Sequence, residues 1–136
     1  MLAPKKVKHR KWHKVAGASG VKASRFTEIA FGAYGLKSTE SRWVTARQLE
    51  AARRVLVRYI RKGGKIWTRV FPDKPVTIKG SEVPMGKGKG AVDHYVFSVL
   101  PGMILFEMFG IPEKQAREAL IMAGHKLSVK TKFVKK

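Results

Sequence analysis

The chain contains no cysteine in its 136 residues, which excludes disulfide staples and thiolate metal sites. Acidic residues are almost as scarce: 9 Asp and Glu stand against 29 Lys and Arg, a formal charge of +20. A protein so unbalanced repels itself and calls for a polyanion, which could be nucleic acid, an anionic membrane surface or a polyphosphate. No apolar run approaches the roughly 18 residues of a spanning helix, so no membrane partner is expected. The start, Met1-Leu2-Ala3-Pro4-Lys5-Lys6, lacks the apolar segment of a secretory signal. Internal repeats and a dividing linker are also absent. With 44% apolar residues the chain is globular, with length for one modest core. Nucleic acid is the leading partner class.

Catalytic constellations are missing too. His9 and His13 are spaced i, i+4 but have no third ligand, so no metal is expected. Asp93 beside His94 invites an acid–base reading, yet neighbours on a strand are expected to point to opposite faces. Gly86-x-Gly88-x-x-Ala91 formally matches a dinucleotide fingerprint, but it leads into a strand rather than a helix, and no Gly-Lys-Ser/Thr completes a phosphate loop. The expectation is no enzyme, no catalytic residue and no cofactor.

What the sequence does have is Met85-Gly86-Lys87-Gly88-Lys89-Gly90, following Pro84. Alternate glycines remove bulk where a backbone must bend or be approached, and the lysines between them carry positive charge. No carboxylate lies between Glu82 and Asp93. That combination suits close approach to phosphates. The bland alternative is a surface hairpin tip with lysines for solubility.

In chain order, residues 1–25 read as a basic extension. Lys5, Lys6, Lys8, Arg10, Lys11 and Lys14 come without an acidic residue, and Trp12 is interleaved with them. Residues 26–136 read as one α+β domain. Phe26–Leu36 suggests a bent strand. Val44–Lys62 is the clearest helix: Thr45 and Gln48 fit a capping box, and Val44 with Leu49 fits a hydrophobic staple. Leu49, Ala52, Leu56, Tyr59 and Ile60 make its apolar face, while Arg47, Arg54, Arg58 and Arg61 form a stripe opposite, followed by Lys62. Gly63-Gly64 should stop it.

Lys65–Phe71 alternates in character, Pro72–Pro75 reads as a turn, and Val76–Ile78 leads to the glycine-lysine loop. His94–Leu100 and Met103–Phe109 suggest a hairpin joined by Pro101-Gly102. The aromatics of these runs are expected in the core; only Trp67 near Arg69 has the pattern of a stacking surface. A second helix opens at Pro112 with Ala116, Ala119, Leu120 and Ala123 inward. Leu127 to Phe133 reads as a last strand. The order implies two helices packed on a mostly antiparallel sheet.

Several segments then resemble one family, the bacterial-type large-subunit ribosomal protein sixteen. They are Phe31-Gly32-x-Tyr34-Gly35-Leu36, Thr45-Ala46-Arg47-Gln48-Leu49-Glu50-Ala51-Ala52-Arg53-Arg54, Gly64-Lys65-Ile66-Trp67, Arg69–Pro75 and Met85–Gly90. Leu105-Phe106-Glu107-Met108, Ala116–Ala119 and Lys126-Leu127 continue the series, with Met1-Leu2-x-Pro4-Lys5 and Arg10-Lys11 at the start. The order is kept over almost the whole chain; only residues 15–24 match poorly.

The resemblance implies a hammerhead-type α+β fold and binding to large-subunit ribosomal RNA near the peptidyl-transferase region. The Met85–Gly90 loop would reach toward tRNA in the aminoacyl site, and also the peptidyl site. Implied partners are large-subunit ribosomal RNA, tRNA and neighbouring ribosomal proteins, with no homo-oligomer. A cytoplasmic bacterial ribosome is the first expectation and an organellar one the second. One departure stands out: Pro84 occupies the position where the family commonly has an arginine that some bacteria hydroxylate. The competing class is a free-standing basic protein that coats nucleic acid without specificity.

Overall fold

The structure is a computed structural model that describes residues 1–14, 20–60 and 63–136. Its elements run β1 (Tyr34–Ser38), β2 (Arg42–Thr45), α1 (Ala46–Tyr59), β3 (Lys65–Thr68), β4 (Lys74–Ile78), β5 (Ala91–Val99), β6 (Ile104–Phe109), α2 (Glu113–Gly124) and β7 (Thr131–Lys135). The architecture is α+β, as its periodicities imply. Two sheets carry it rather than one: a four-stranded sheet ordered β3-β6-β1-β7 and a three-stranded sheet ordered β2-β5-β4. Every pairing described is antiparallel.

Helix α1 begins where local chemistry says it should. The Gln48 N–H donates to Thr45 Oγ1 at 3.2 Å, and the Thr45 N–H donates to Gln48 Oε1 at 3.0 Å. Two backbone donors without helical partners are thereby satisfied. Leu49, Ala52 and Leu56 are buried, and Val44 joins them in the same core. The helix is shorter than its sequence suggests, because Ile60 is already extended at ψ 114°. Helix α2 sets Ala116, Ala119, Leu120 and Ala123 inward as expected. Pro112 precedes its first residue instead of occupying the first turn. The alanines let α2 lie close to α1, β1 and β7.

Four strand expectations need correction. β5 and β6 are consecutive but belong to different sheets, so Pro101-Gly102 is a crossing point and not a hairpin turn. Ser38, at the end of β1, captures that turn. Its N–H donates to the Met103 carbonyl at 2.8 Å, its Oγ to the Leu100 carbonyl at 2.6 Å, and its carbonyl accepts from the Gly102 N–H at 2.8 Å. β1 thus takes the edge of β6 that a hairpin would have used. β4 starts at Lys74, so the supposed turn supplies two strand residues; Pro75 is tolerated because β4 is an edge strand. β7 starts only at Thr131, after Ser128 has turned inward to donate to the Trp43 carbonyl at 2.8 Å.

The fourth correction concerns Phe26–Leu36, of which only Tyr34–Leu36 is strand. The preceding residues wrap around Glu107, fully buried in the middle of β6. Ala30, Phe31 and Gly32 donate their N–H groups to its carboxylate at 3.0, 2.7 and 2.7 Å, and Arg69 Nη1 completes the set. These donors cannot also serve a sheet ladder. Gly32 is required by close approach, since a Cβ there would lie 2.6 Å from the Met108 carbonyl oxygen.

Candidate nucleic-acid interface

Three groups of basic side chains emerge from this frame. The first is the outer face of α1. Arg47, Arg54 and Arg58 are all exposed, on the side opposite the buried Leu49, Ala52 and Leu56. Arg61 and Lys62, expected to extend the stripe, lie outside the described residues. Arg47, Arg54 and Arg58 line one open cleft together with Met1 and Lys126. Lys126 follows α2, so its arrival beside the stripe depends on tertiary packing that no local pattern signals.

Glu50 shares that cleft and is the only carboxylate on α1. It is held by Arg53, whose Nη2 lies 2.6 Å away, and more loosely by Arg54 Nε at 3.4 Å. The Arg53 hydrogen bond lowers the Glu50 carboxyl to about 2 against the opposing cost of desolvation, with the Arg53 charge and Arg54 assisting. Glu50 is therefore ionised under all ordinary conditions, and Arg53 offsets its charge. Sequence spacing offered a sign of this in the i, i+3 relation, although Arg53 lies off the stripe.

The second group is the loop between β4 and β5. These strands form a true antiparallel hairpin whose neck pairs Ile78 with Ala91. Every residue from Gly80 to Lys89 is exposed, and Met85 is 94% exposed. Gly86, Lys87 and Gly88 hold consecutive positive φ values of 99°, 58° and 99°. The glycines adopt this backbone freely, whereas for Lys87 it costs about 1–2 kcal/mol. Backbone strain of this kind is characteristic of functional loops. Lys79 Nζ donates to the Gly86 carbonyl at 2.5 Å and ties the loop back to its stem.

The third group is the N-terminal segment. Lys5, Lys6, Lys8, Arg10 and Lys14 are exposed, while Leu2 packs against the core. Lys11 is half-buried, because its Nζ donates to the Lys89 carbonyl at 3.1 Å. Lys89 Nζ in turn donates to the Trp12 carbonyl. This reciprocal clasp joins the second and third groups. It also limits what Lys89 can offer a ligand, leaving Lys87 as the loop lysine with no partner among the described residues.

Asp93 and His94 correct a sequence inference. Asp93 Oδ2 and His94 Nδ1 lie 2.7 Å apart on the exposed side of β5. Val76 pairs with His94 and Thr77 with Val92, so Asp93 is an extra residue in the ladder. A bulge of this kind abolishes strict alternation and brings the two side chains together. Among the described residues no group of three or more His, Cys, Asp or Glu could hold a metal ion. Among the described residues no helix is long and apolar enough to cross a membrane.

Residues 4–134 match the family described as ribosomal protein L16p/L10e. The chain belongs to that family. It is 52% identical over 134 residues to the large ribosomal subunit protein uL16c of Porphyra purpurea, covering 98% of this chain and 95% of that protein. It is 50% identical over 134 residues to the protein of the same name from Thalassiosira pseudonana, covering 98% and 96%. L16p/L10e members are structural proteins of the large ribosomal subunit, and RNA binding and a part in translation follow from membership. In L16p/L10e terms, the arginine cleft, the glycine-lysine hairpin and the basic N-terminal segment are three cationic surfaces on one small ribosomal protein.

Proposed function

We propose that this protein anchors itself to large-subunit ribosomal RNA and holds its glycine-lysine hairpin toward tRNA, acting by charge and shape and not by catalysis. Arg47, Arg54 and Arg58, with Lys126 beside them, neutralise phosphates along one face. Lys5, Lys6, Lys8, Arg10 and Lys14 do the same along an N-terminal segment, residues 1–25, that runs among RNA strands. The observation that carries the reading is the hairpin: an exposed, glycine-rich loop with a strained lysine, tethered at its base and clasped to the N-terminal segment. RNA bound by the extension would thus fix the position of the loop. Phosphate contacts position without specifying sequence, so specificity comes from RNA shape.

Both relatives carry the name uL16c, which supports an organellar ribosome over the bacterial one expected first. Sedimentation of a tagged copy from lysate, at moderate and then high salt, tests the proposal. Stoichiometric co-migration with large subunits that survives the salt is expected. Generic binding through 6–10 phosphates loses about 10³–10⁵ in affinity between 50 and 200 mM salt. Release into light fractions would therefore favour non-specific coating. Particles carrying Lys87→Ala should retain the protein but accommodate aminoacyl-tRNA more slowly; unchanged accommodation would remove the loop from the account.

A further inference from the structure

Outside these three surfaces lies a cluster that the cationic reading leaves unused. Arg25, Phe26, Arg69, Phe31 and Trp67 form an alternating ladder of guanidinium groups and rings. The Arg25 guanidinium carbon is 5.6 Å from the Phe26 centroid, and that of Arg69 is 5.6 Å from Phe26 and 5.2 Å from Phe31. Phe31 and Trp67 are stacked at 6.0 Å with planes 21° apart. Despite these neighbours, Phe31 is 60% exposed and Phe26 37%. A phenyl ring left that open is expensive in water unless something covers it.

The rings are not loosely attached. The Phe31 N–H is fixed on the buried Glu107 carboxylate at 2.7 Å, and Gly32 beside it is fixed in the same way. Arg69 is locked to the same carboxylate, with only 13% of its side chain exposed. Phe26 is held at φ 57°, a conformation rare for a bulky residue, while its carbonyl accepts from the Ile104 N–H at 2.7 Å. Core polar chemistry thus fixes the backbone that carries these exposed rings. Strain and a buried ion network supporting exposed rings mark a recognition surface better than a packing accident.

We propose that Phe31, backed by Trp67 and flanked by Arg69, with Arg25 over the neighbouring Phe26 ring, is a stacking platform for an unpaired base of large-subunit ribosomal RNA. The proposal rests on the RNA-binding reading above and adds to it a site that reads a base face, not a phosphate. Single-stranded nucleotides are recognised by stacking on aromatic side chains and guanidinium planes. Arg25 is exposed over the Phe26 ring, with no carboxylate partner among the described residues, and can meet the adjoining phosphate, whereas Arg69 is neutralised by Glu107 and serves through its planar face.

The test uses full-length protein added back to large-subunit particles stripped of it, comparing wild type with Phe31→Ala, Phe31→Leu and Phe31→Tyr. Because Phe31 is exposed, all should fold, which thermal unfolding checks. Loss of one stacked base should weaken binding roughly 5- to 150-fold in the Ala and Leu variants. The Tyr variant should stay near wild type, and the salt dependence should not change, since no charge is lost. Nucleotide-resolution probing should find one unpaired base protected by wild type and Tyr but reactive with Ala and Leu. Equal affinity and protection across all four proteins would overturn the platform while leaving the RNA-binding reading intact. Equal weakening by Leu, Ala and Tyr, or loss of a neighbouring protein from the particle with RNA protection unchanged, would instead assign the patch to a protein contact and overturn it. Failure of wild type to bind the particles would overturn both.

Discussion

Glu107 stands alone in an apolar run, where a carboxylate is costly unless fully partnered. Burial alone would push its carboxyl up; the Ala30 and Gly32 N–H groups, Arg69 and the Phe31 N–H outweigh this and leave it below its ordinary value. Glu107→Gln keeps the shape but leaves Arg69 buried without a counter-charge, and should destabilise the protein by about 3–5 kcal/mol in urea unfolding at neutral pH. Arg69→Ala should cost less, because three backbone donors still serve the carboxylate. The pH dependence follows from the lowered value in the folded state. The charge contributes fully above the unfolded carboxyl value, about 4.3, and its contribution is lost as pH falls through the lower folded value. The gap between wild type and Glu107→Gln should therefore narrow below about pH 4. A gap constant from pH 7 to pH 3 would mean that Glu107 stabilises by packing, not by charge.

At the scale of elements, local chemistry was legible and partner choice was not. Thr45→Ala should lower stability by about 1 kcal/mol, with Thr45→Ser close to wild type and an unchanged urea slope. A loss shared equally by Ser and Ala would point to the Thr45 methyl group in β2 and away from the cap. Helix α1 could be read from its sequence because the cap, the apolar face and the arginine stripe all recur within four residues of one another. The expected β5–β6 hairpin failed for the opposite reason: Ser38, more than sixty residues away in sequence, takes the turn's hydrogen bonds. Phe26–Leu36 failed as a strand because Glu107 captures its donors across a similar distance. The candidate site divides along the same line. The arginine stripe and the glycine-lysine loop are local patterns. The Lys11–Lys89–Trp12 clasp, the approach of Lys126 to α1 and the rings around Arg69 all depend on pairings between distant segments. Trp67 near Arg69 was visible as a hint, but the exposure of Phe31 was not.

For the whole molecule, a net charge of +20 does not by itself say which cations meet RNA. The α1 face gives a count. Arg53 is occupied in offsetting Glu50, which leaves Arg47, Arg54 and Arg58 to act outward from that helix. If each meets one phosphate, replacing all three with Gln removes three released counterions from the binding equilibrium. The slope of log K against log salt should then become shallower by roughly 2 to 3 units, at 0.7–0.9 per phosphate. The helix should survive the change, since Gln is nearly as good a helix former as Arg and all three positions are exposed. Titrating large-subunit ribosomal RNA with both proteins from 50 to 200 mM salt measures the difference. Weaker binding with an unchanged slope would mean that the arginines act through base or protein contacts. An unchanged affinity would place the RNA on another face, and the hairpin and N-terminal segment would have to carry the anchoring alone.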